Sequence, residues 1–250
     1  MKLPCKLQTS PLKEVIFEIR QEADLPLALM APGILFGSEL AGMPIINMPA
    51  NQIPAEIREN DPNLKYAALI NIKKDNLNLY IGNKSVAFSL SDGYAGWSSF
   101  RNLVLPYVLK LHQNKLLQNV QRISLRYINF IDNSQESDIH NILDSTLSLG
   151  TSDLLSQQLS VETVINHDAA LSSTYRIINP AKIQRPKEPE SVGCVLDIDT
   201  VKKVDAMDFI YHFIQSPENY LDHLHNLSKT LFFGSLKSSF IERLGATYEQ

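Results

Sequence analysis

The chain has 250 residues, 44% of them hydrophobic and 20% charged, a globular composition that excludes a disordered chain, a collagen-like fibre and a coiled-coil rod. Its length is near the upper limit for one hydrophobic core, which allows one large domain or two smaller ones. A formal net charge of -4 argues against a protein whose main work is neutralising phosphates, while leaving room for a local basic groove.

The first predicted strand runs from Glu14 to Arg20, where Val15, Phe17 and Ile19 alternate with Ile16, Glu18 and Arg20. Pro32, Pro44, Pro49 and Pro54 then restrict the chain to short helices, around Ile34 to Ala41 and Ala55 to Glu59. Three strands follow, Leu64 to Lys73, Leu77 to Ile81 and Val86 to Leu90, joined by turns too short for anything but antiparallel neighbours. Trp97, Phe100, Leu103, Val104, Tyr107, Val108 and Leu111 recur at helical spacing, and Pro106 within that pattern predicts a kink or a break.

A long strand spans Val120 to Ile131, and Ile139, Ile142, Leu143 and Leu147 mark a helix after it. Gln158 to Asn166 and Leu171 to Asn179 flank His167-Asp168 as a hairpin, and Pro180 to Glu190 is a proline-rich loop leading to a strand over Val192 to Asp199. Asp205 is placed to cap one helix, and Ser216-Pro217-Glu218 opens a longer one. The element order predicts an α+β protein of two similar β-α-β-β-β-α units, 1–118 and 119–250, each with an antiparallel sheet covered by helices on one face. By topological analogy the arrangement is saddle-like or helix-grip-like, and the two units can equally form one compact domain.

The first ten residues lack the apolar run of a signal peptide, and no stretch approaches the ~18 apolar residues of a membrane span, so the expectation is a soluble, cytoplasmic protein. Cys5 and Cys194 form neither a disulfide framework nor a metal pattern, and Cys194 reads as a small core residue.

Pro11-Leu12-Lys13-Glu14-Val15-Ile16-Phe17-Glu18-Ile19-Arg20, together with Leu125-Arg126-Tyr127-Ile128-Asn129, resembles a sporadically distributed bacterial family of similar size, whose members carry an "E-V-x-x-E-I-R" strand near the start and an "R-Y-I-N" strand in the middle. The resemblance covers nearly the whole chain but rests on two short motifs. It implies no enzymatic activity, and it implies a setting in bacterial defence or toxin-antitoxin cargo. The polar motif residues are Glu14, Glu18, Arg20, Arg126, Tyr127 and Asn129; an ion pair such as Glu18 with Arg126 would pin strand register, and ligand binding is the alternative role.

Three other groups carry chemistry. Asp197 and Asp199 share one strand face and are candidate Mg²⁺ ligands or an acid/base pair, unless Asp197 merely faces water and Asp199 ends the strand. Arg122, Arg126, Lys182, Arg185 and Lys187 are candidate nucleic-acid contacts, with a solvated charged face as the alternative. Phe232, Phe233, Leu236 and Phe240 are candidate partner contacts, since adjacent Phe232 and Phe233 cannot both face one core; an intramolecular core is the other reading. No zinc spacing, serine-hydrolase elbow or phosphate-binding glycine loop is present, and no cofactor is expected. The sequence points to a non-enzymatic protein that binds a protein partner or itself, with nucleic-acid binding or a metal-dependent activity as alternatives.

Overall fold

The computed structural model describes residues 2–22, 25–36, 42–91, 93–184 and 189–248. The chain is mixed α+β, built on a large antiparallel sheet of nine strands: Leu12–Gln21 (β1), Ile45–Asn47 (β2), Ile70–Lys74 (β3), Leu77–Ile81 (β4), Ser85–Leu90 (β5), Val120–Asp132 (β6), Leu159–Asn166 (β7), Leu171–Ile183 (β8) and Ser191–Lys203 (β9). The helices are Leu27–Phe36 (α1), Ala55–Asn60 (α2), Trp97–Gln113 (α3), Ile139–Ile142 (α4), Ala206–Asp208 (α5), Pro217–Ser235 (α6) and Ser238–Arg243 (α7). Among the described residues no helix is long and apolar enough to cross a membrane.

Two compact units emerge, interleaved in sequence. A terminal unit comprises Met1–Glu14, Arg126–Thr200 and His225–Gln250, and an internal unit comprises Val15–Leu125 and Val201–Leu224. The units part within strands β1, β6 and β9 and within α6, rather than between residues 118 and 119.

In the internal unit the strand order is β1-β5-β4-β3-β2. Val15, Phe17 and Ile19 of β1 are buried, and they lie opposite Leu90, Phe88 and Val86 of β5. Helix α3 covers this face with Phe100, Val104, Tyr107, Val108 and Leu111. Phe88 stacks on Tyr107 at 6.1 Å, and Phe17 on Phe213 at 6.3 Å. Phe213 comes from a π-helical turn, Phe209–Ile214, whose Phe209 stacks on it at 5.2 Å. Buried Gln21 ends β1 by donating to Leu116 O and accepting from the Gln118 N–H, which satisfies the backbone just after α3.

Several local features differ from the sequence reading: α4 ends at Ile142, so Leu143 and Leu147 lie beyond it, and Pro180 to Ile183 of the expected loop continue β8. Three more lie in the internal unit. Helix α1 begins at Leu27 because Leu27, Ala31 and Leu35 form a buried stripe that continues through Pro32; residues 37–41 of the expected helix lie outside the described residues. Residues 64–69 are not strand. Asp61 accepts the Asn63 N–H at 2.8 Å, and the turn this starts carries the chain to Ala67 before β3 begins. Helix α3 runs unbroken through Pro106, its buried stripe continuing on both sides of the proline.

In the terminal unit the order is β6-β9-β8-β7. Ile131, Tyr175, Ile177, Cys194, Leu196 and Ile198 of the sheet pack with Phe233, Leu236, Phe240, Ile241 and Leu244 from the C-terminal helical region. Burial pushes the Cys194 thiol up to about 12, and both cysteines are free thiols. Gly193 is required by close approach: a Cβ there would stand 2.1 Å from Ile131 O and 2.8 Å from the Phe130 ring. Two-residue strands at Lys6–Leu7 and Ala246–Thr247 pair antiparallel.

One charged hub in the internal unit sets an acid limit on stability. Glu22 accepts from Lys65 at 2.6 Å, Tyr66 at 2.5 Å and Lys84 at 3.1 Å. Burial raises its pKa, but the three hydrogen bonds outweigh it and hold the carboxyl at about 2, against 4.5 ordinarily. A depressed folded-state pKa gives stability that is present above pH ~4.5 and lost as pH falls toward ~2. Glu22→Gln is expected to remove about 2 kcal/mol at neutral pH, after allowance for partial exposure, and to flatten the pH dependence between those limits. Urea unfolding midpoints measured from pH 2 to 7 check this; parallel profiles for the two proteins would refute it.

Candidate functional site

Successive strand residues alternate faces, so burying Cys194, Leu196 and Ile198 under the helices turns Val195, Asp197 and Asp199 to the opposite side of the terminal unit's sheet. The same alternation places Arg126 of β6, Arg176 of β8 and Glu162 of β7 on that side. The four charged residues form a ladder across four adjacent strands. Arg126 grips Asp197 with two bonds, Nε to Oδ1 at 2.8 Å and Nη2 to Oδ2 at 2.6 Å. Arg176 donates to Asp197 Oδ2 at 3.3 Å and to Glu162 Oε2 at 2.5 Å. Glu162 lies directly opposite Arg176 in the β7–β8 register.

The burial of the ladder is uneven. The Asp197 side chain is 5% exposed, whereas Arg126 and Glu162 keep 38% and 56% exposure. A carboxylate withdrawn this far from water requires charged partners, and a planar guanidinium matches both of its oxygens. The hydrogen bond to Asp197 raises the Arg126 pKa, against desolvation, with Asp197, Asp199 and Glu14 adding attraction. Val164 and Ile178 are exposed on the same side, so the surface mixes fixed charges with aliphatic side chains.

The motif residues take separate roles. Glu18 pairs with Arg20 along its own strand at 2.8 Å, and Arg126 pairs with Asp197, so the expected Glu18 to Arg126 pair gives way to these two. The Tyr127 hydroxyl hydrogen-bonds His225 Nδ1 at 2.8 Å, and buried Asn129 donates to Leu196 O at 3.2 Å. Glu14 is half-buried on β1. These residues sit in and beside strands and hold neighbouring backbone and helix together.

The other candidates separate. Both Asp197 oxygens are occupied by guanidinium groups, and among the described residues no group of three or more His, Cys, Asp or Glu side chains is placed to hold a metal ion. Of the basic residues, Arg126 is neutralised by Asp197 and Lys182 by Glu190 at 2.8 Å, while Arg122 is half-buried on β6. Arg185 and Lys187 lie outside the described residues. Phe233, Leu236 and Phe240 are buried in the terminal unit's core and Phe232 packs against it, its ring 5.1 Å from that of Phe233. The core under α6 and α7 takes in Phe233, Leu236 and Phe240, with Phe232 partly buried against it.

Two residues of the ladder, Arg176 and Glu162, escape the motif search. The register that sets this opposite-charge pair face to face is centred on Ala169, whereas counting outward from a turn at His167-Asp168 would oppose Glu162 to Ser173, so the expected turn does not find them.

A cleft of about 410 Å³ in the same unit is lined by His140, Leu143, Asp144, Ser145, Thr146 and Lys237. His140 Nε2 lies 3.0 Å from Ser156 Oγ and 2.9 Å from Asp153 Oδ2. Serine and carboxylate meet one ring nitrogen, whereas a serine relay needs them on opposite nitrogens, so the trio clasps a loop instead of activating a nucleophile.

Arg126→Ala is expected to destabilise by about 2–3 kcal/mol, because it leaves buried Asp197 with only the 3.3 Å contact from Arg176, while Arg176→Ala costs about 1 kcal/mol or less. Phe233→Asp is expected to unfold the terminal unit by burying a charge in an apolar core. Chemical denaturation of the three variants checks the ranking, and equal effects of Arg126→Ala and Arg176→Ala would contradict it. No protein-family model matches the chain, and no curated protein is significantly similar to it in sequence.

Proposed function

We propose that the chain is a non-enzymatic protein that works by binding another protein, and that the resemblance carried by its two motifs places it as an accessory or neutralising component of a bacterial defence or toxin-antitoxin locus. The observation that carries the reading is the Glu162–Arg176–Asp197–Arg126 ladder. Its charges are clamped to one another in fixed positions, yet Arg126, Arg176 and Glu162 still meet solvent. Pre-positioned arginines beside exposed Val164 and Ile178 lose little freedom on binding and suit the anchor role that arginine plays at protein interfaces. A nucleic acid would favour cations without carboxylate partners, and here Arg126, Arg176 and Lys182 are each paired with one.

The strand orders support a duplicated scaffold behind this surface. With the three-residue edge strand β2 set aside, β1-β5-β4-β3 in one unit and β6-β9-β8-β7 in the other both run first, fourth, third, second in chain order; α3 follows β5, and α6 follows β9 after α5 and the π-helical turn. By topological analogy we propose a saddle or helix-grip arrangement, which would serve as a frame for binding without fixing the ligand.

Co-expression with the products of adjacent genes tests the function. A stable complex is expected, with affinity falling at least about tenfold in Arg176→Ala while the thermal midpoint stays close to wild type. Failure to associate with any adjacent product, or oligonucleotide binding that weakens steeply with salt, would overturn the reading in favour of the nucleic-acid alternative.

A further inference from the structure

Strand β7, Leu159-Ser160-Val161-Glu162-Thr163-Val164-Ile165-Asn166, is the outermost of its sheet, paired on one side by β8 and hydrogen-bonded to no other strand among the described residues. Its sequence lacks the devices that keep edges apart: it holds no proline, glycine or lysine, and its only charge, Glu162, is neutralised within the chain by Arg176. Ser160, Glu162, Thr163, Val164 and Asn166 are exposed.

The orientation of the edge backbone follows from the hairpin. The His167 N–H donates to Leu171 O, and the register runs without a bulge from Asn166↔Ser172 to Leu159↔Asn179. In an antiparallel ladder the inward and outward positions alternate, so Ser160, Glu162, Val164 and Asn166 turn their N–H and C=O groups away from β8.

We propose that β7 pairs antiparallel with β7 of a second copy of this chain, about a two-fold axis through Thr163. Such an axis keeps each residue on its own sheet face, so the pairing must be centred on a residue. Centring on Thr163 alone joins all four outward positions: Ser160 faces Asn166 of the second copy, and Glu162 faces Val164. Each of these pairs exchanges two hydrogen bonds, about eight in all. The same register sets Val161 opposite Ile165 and the two threonines opposite each other, both favourable cross-strand pairs. Charge selects in the same direction, because centring on Glu162 would oppose two carboxylates, whereas here each carboxylate faces a valine and retains its own Arg176. Centring on Val164 leaves Ser160 without a partner.

The register predicts which position can be cross-linked. Thr163 would be a close, non-hydrogen-bonded pair, the geometry in which opposed cysteines can join across strands. In a Cys5→Ser background, with Cys194 buried, Thr163→Cys is expected to form a covalent dimer on mild oxidation, and Glu162→Cys and Val164→Cys to remain monomeric. Sedimentation of the wild-type chain should show mass rising with concentration, and Val164→Pro, which removes only an outward N–H, should weaken association at least about tenfold. A chain monomeric at every concentration overturns the proposal. So does cross-linking through Val164→Cys in place of Thr163→Cys, or a dimer that survives Val164→Pro without the Thr163→Cys cross-link.

Discussion

The bidentate contact between Arg126 and Asp197 is the constraint around which the terminal unit is arranged. Apolar alternation in β9 fixes Cys194, Leu196 and Ile198 under the helices, and the pleat then drives Asp197 to the other face at 5% exposure. A carboxylate there is tolerated only with its oxygens engaged, and Arg126 on the neighbouring strand engages both. A one-residue slip between β6 and β9 would turn Arg126 to the helix side and leave Asp197 without it. The pair thus acts chiefly on register, since a buried ion pair contributes little net stability compared with the loss on removing one partner.

Periodic features were legible in the sequence, and pairings between distant segments mostly were not. The alternation in β1, the meander of β3, β4 and β5, the hairpin at His167 and the proline-led start of α6 each follow from local rules, and each is present. Asp205 does accept the Asp208 N–H, as a cap should. Pro32 hides the start of α1 from local rules, although the Leu27, Ala31 and Leu35 stripe runs on both sides of it. The Asp61 turn is hidden because Leu64 to Lys73 is apolar enough to read as strand, while a side-chain hydrogen bond from Asn63 N–H to Asp61 starts the turn in its place.

The same division holds at the site. Arg126 stood out because it lies in a motif, and Asp197 because of its spacing from Asp199, but nothing local says that they meet. The two residues are 71 positions apart, and only the sheet order makes them neighbours. The C-terminal phenylalanines show the converse. Their density suggested excess apolar surface, yet the sheet they cover contributes Tyr175, Ile177, Leu196 and Ile198 to the same core, which is wide enough for all of them.

Polar groups inside the terminal unit answer mainly to one another. His167, Ser173, Thr200 and Ser228 form a chain of hydrogen bonds of 2.7–2.8 Å that crosses from the hairpin turn through two buried strand positions to α6. Ser173 and Thr200 are each bonded on both sides within that chain, which fixes the helix on the sheet. The His140 clasp and the Tyr175 to Ser235 hydrogen bond at 2.6 Å follow the same economy. These side chains satisfy one another within the unit, while Arg126, Arg176 and Glu162 of the ladder keep part of their surface in water.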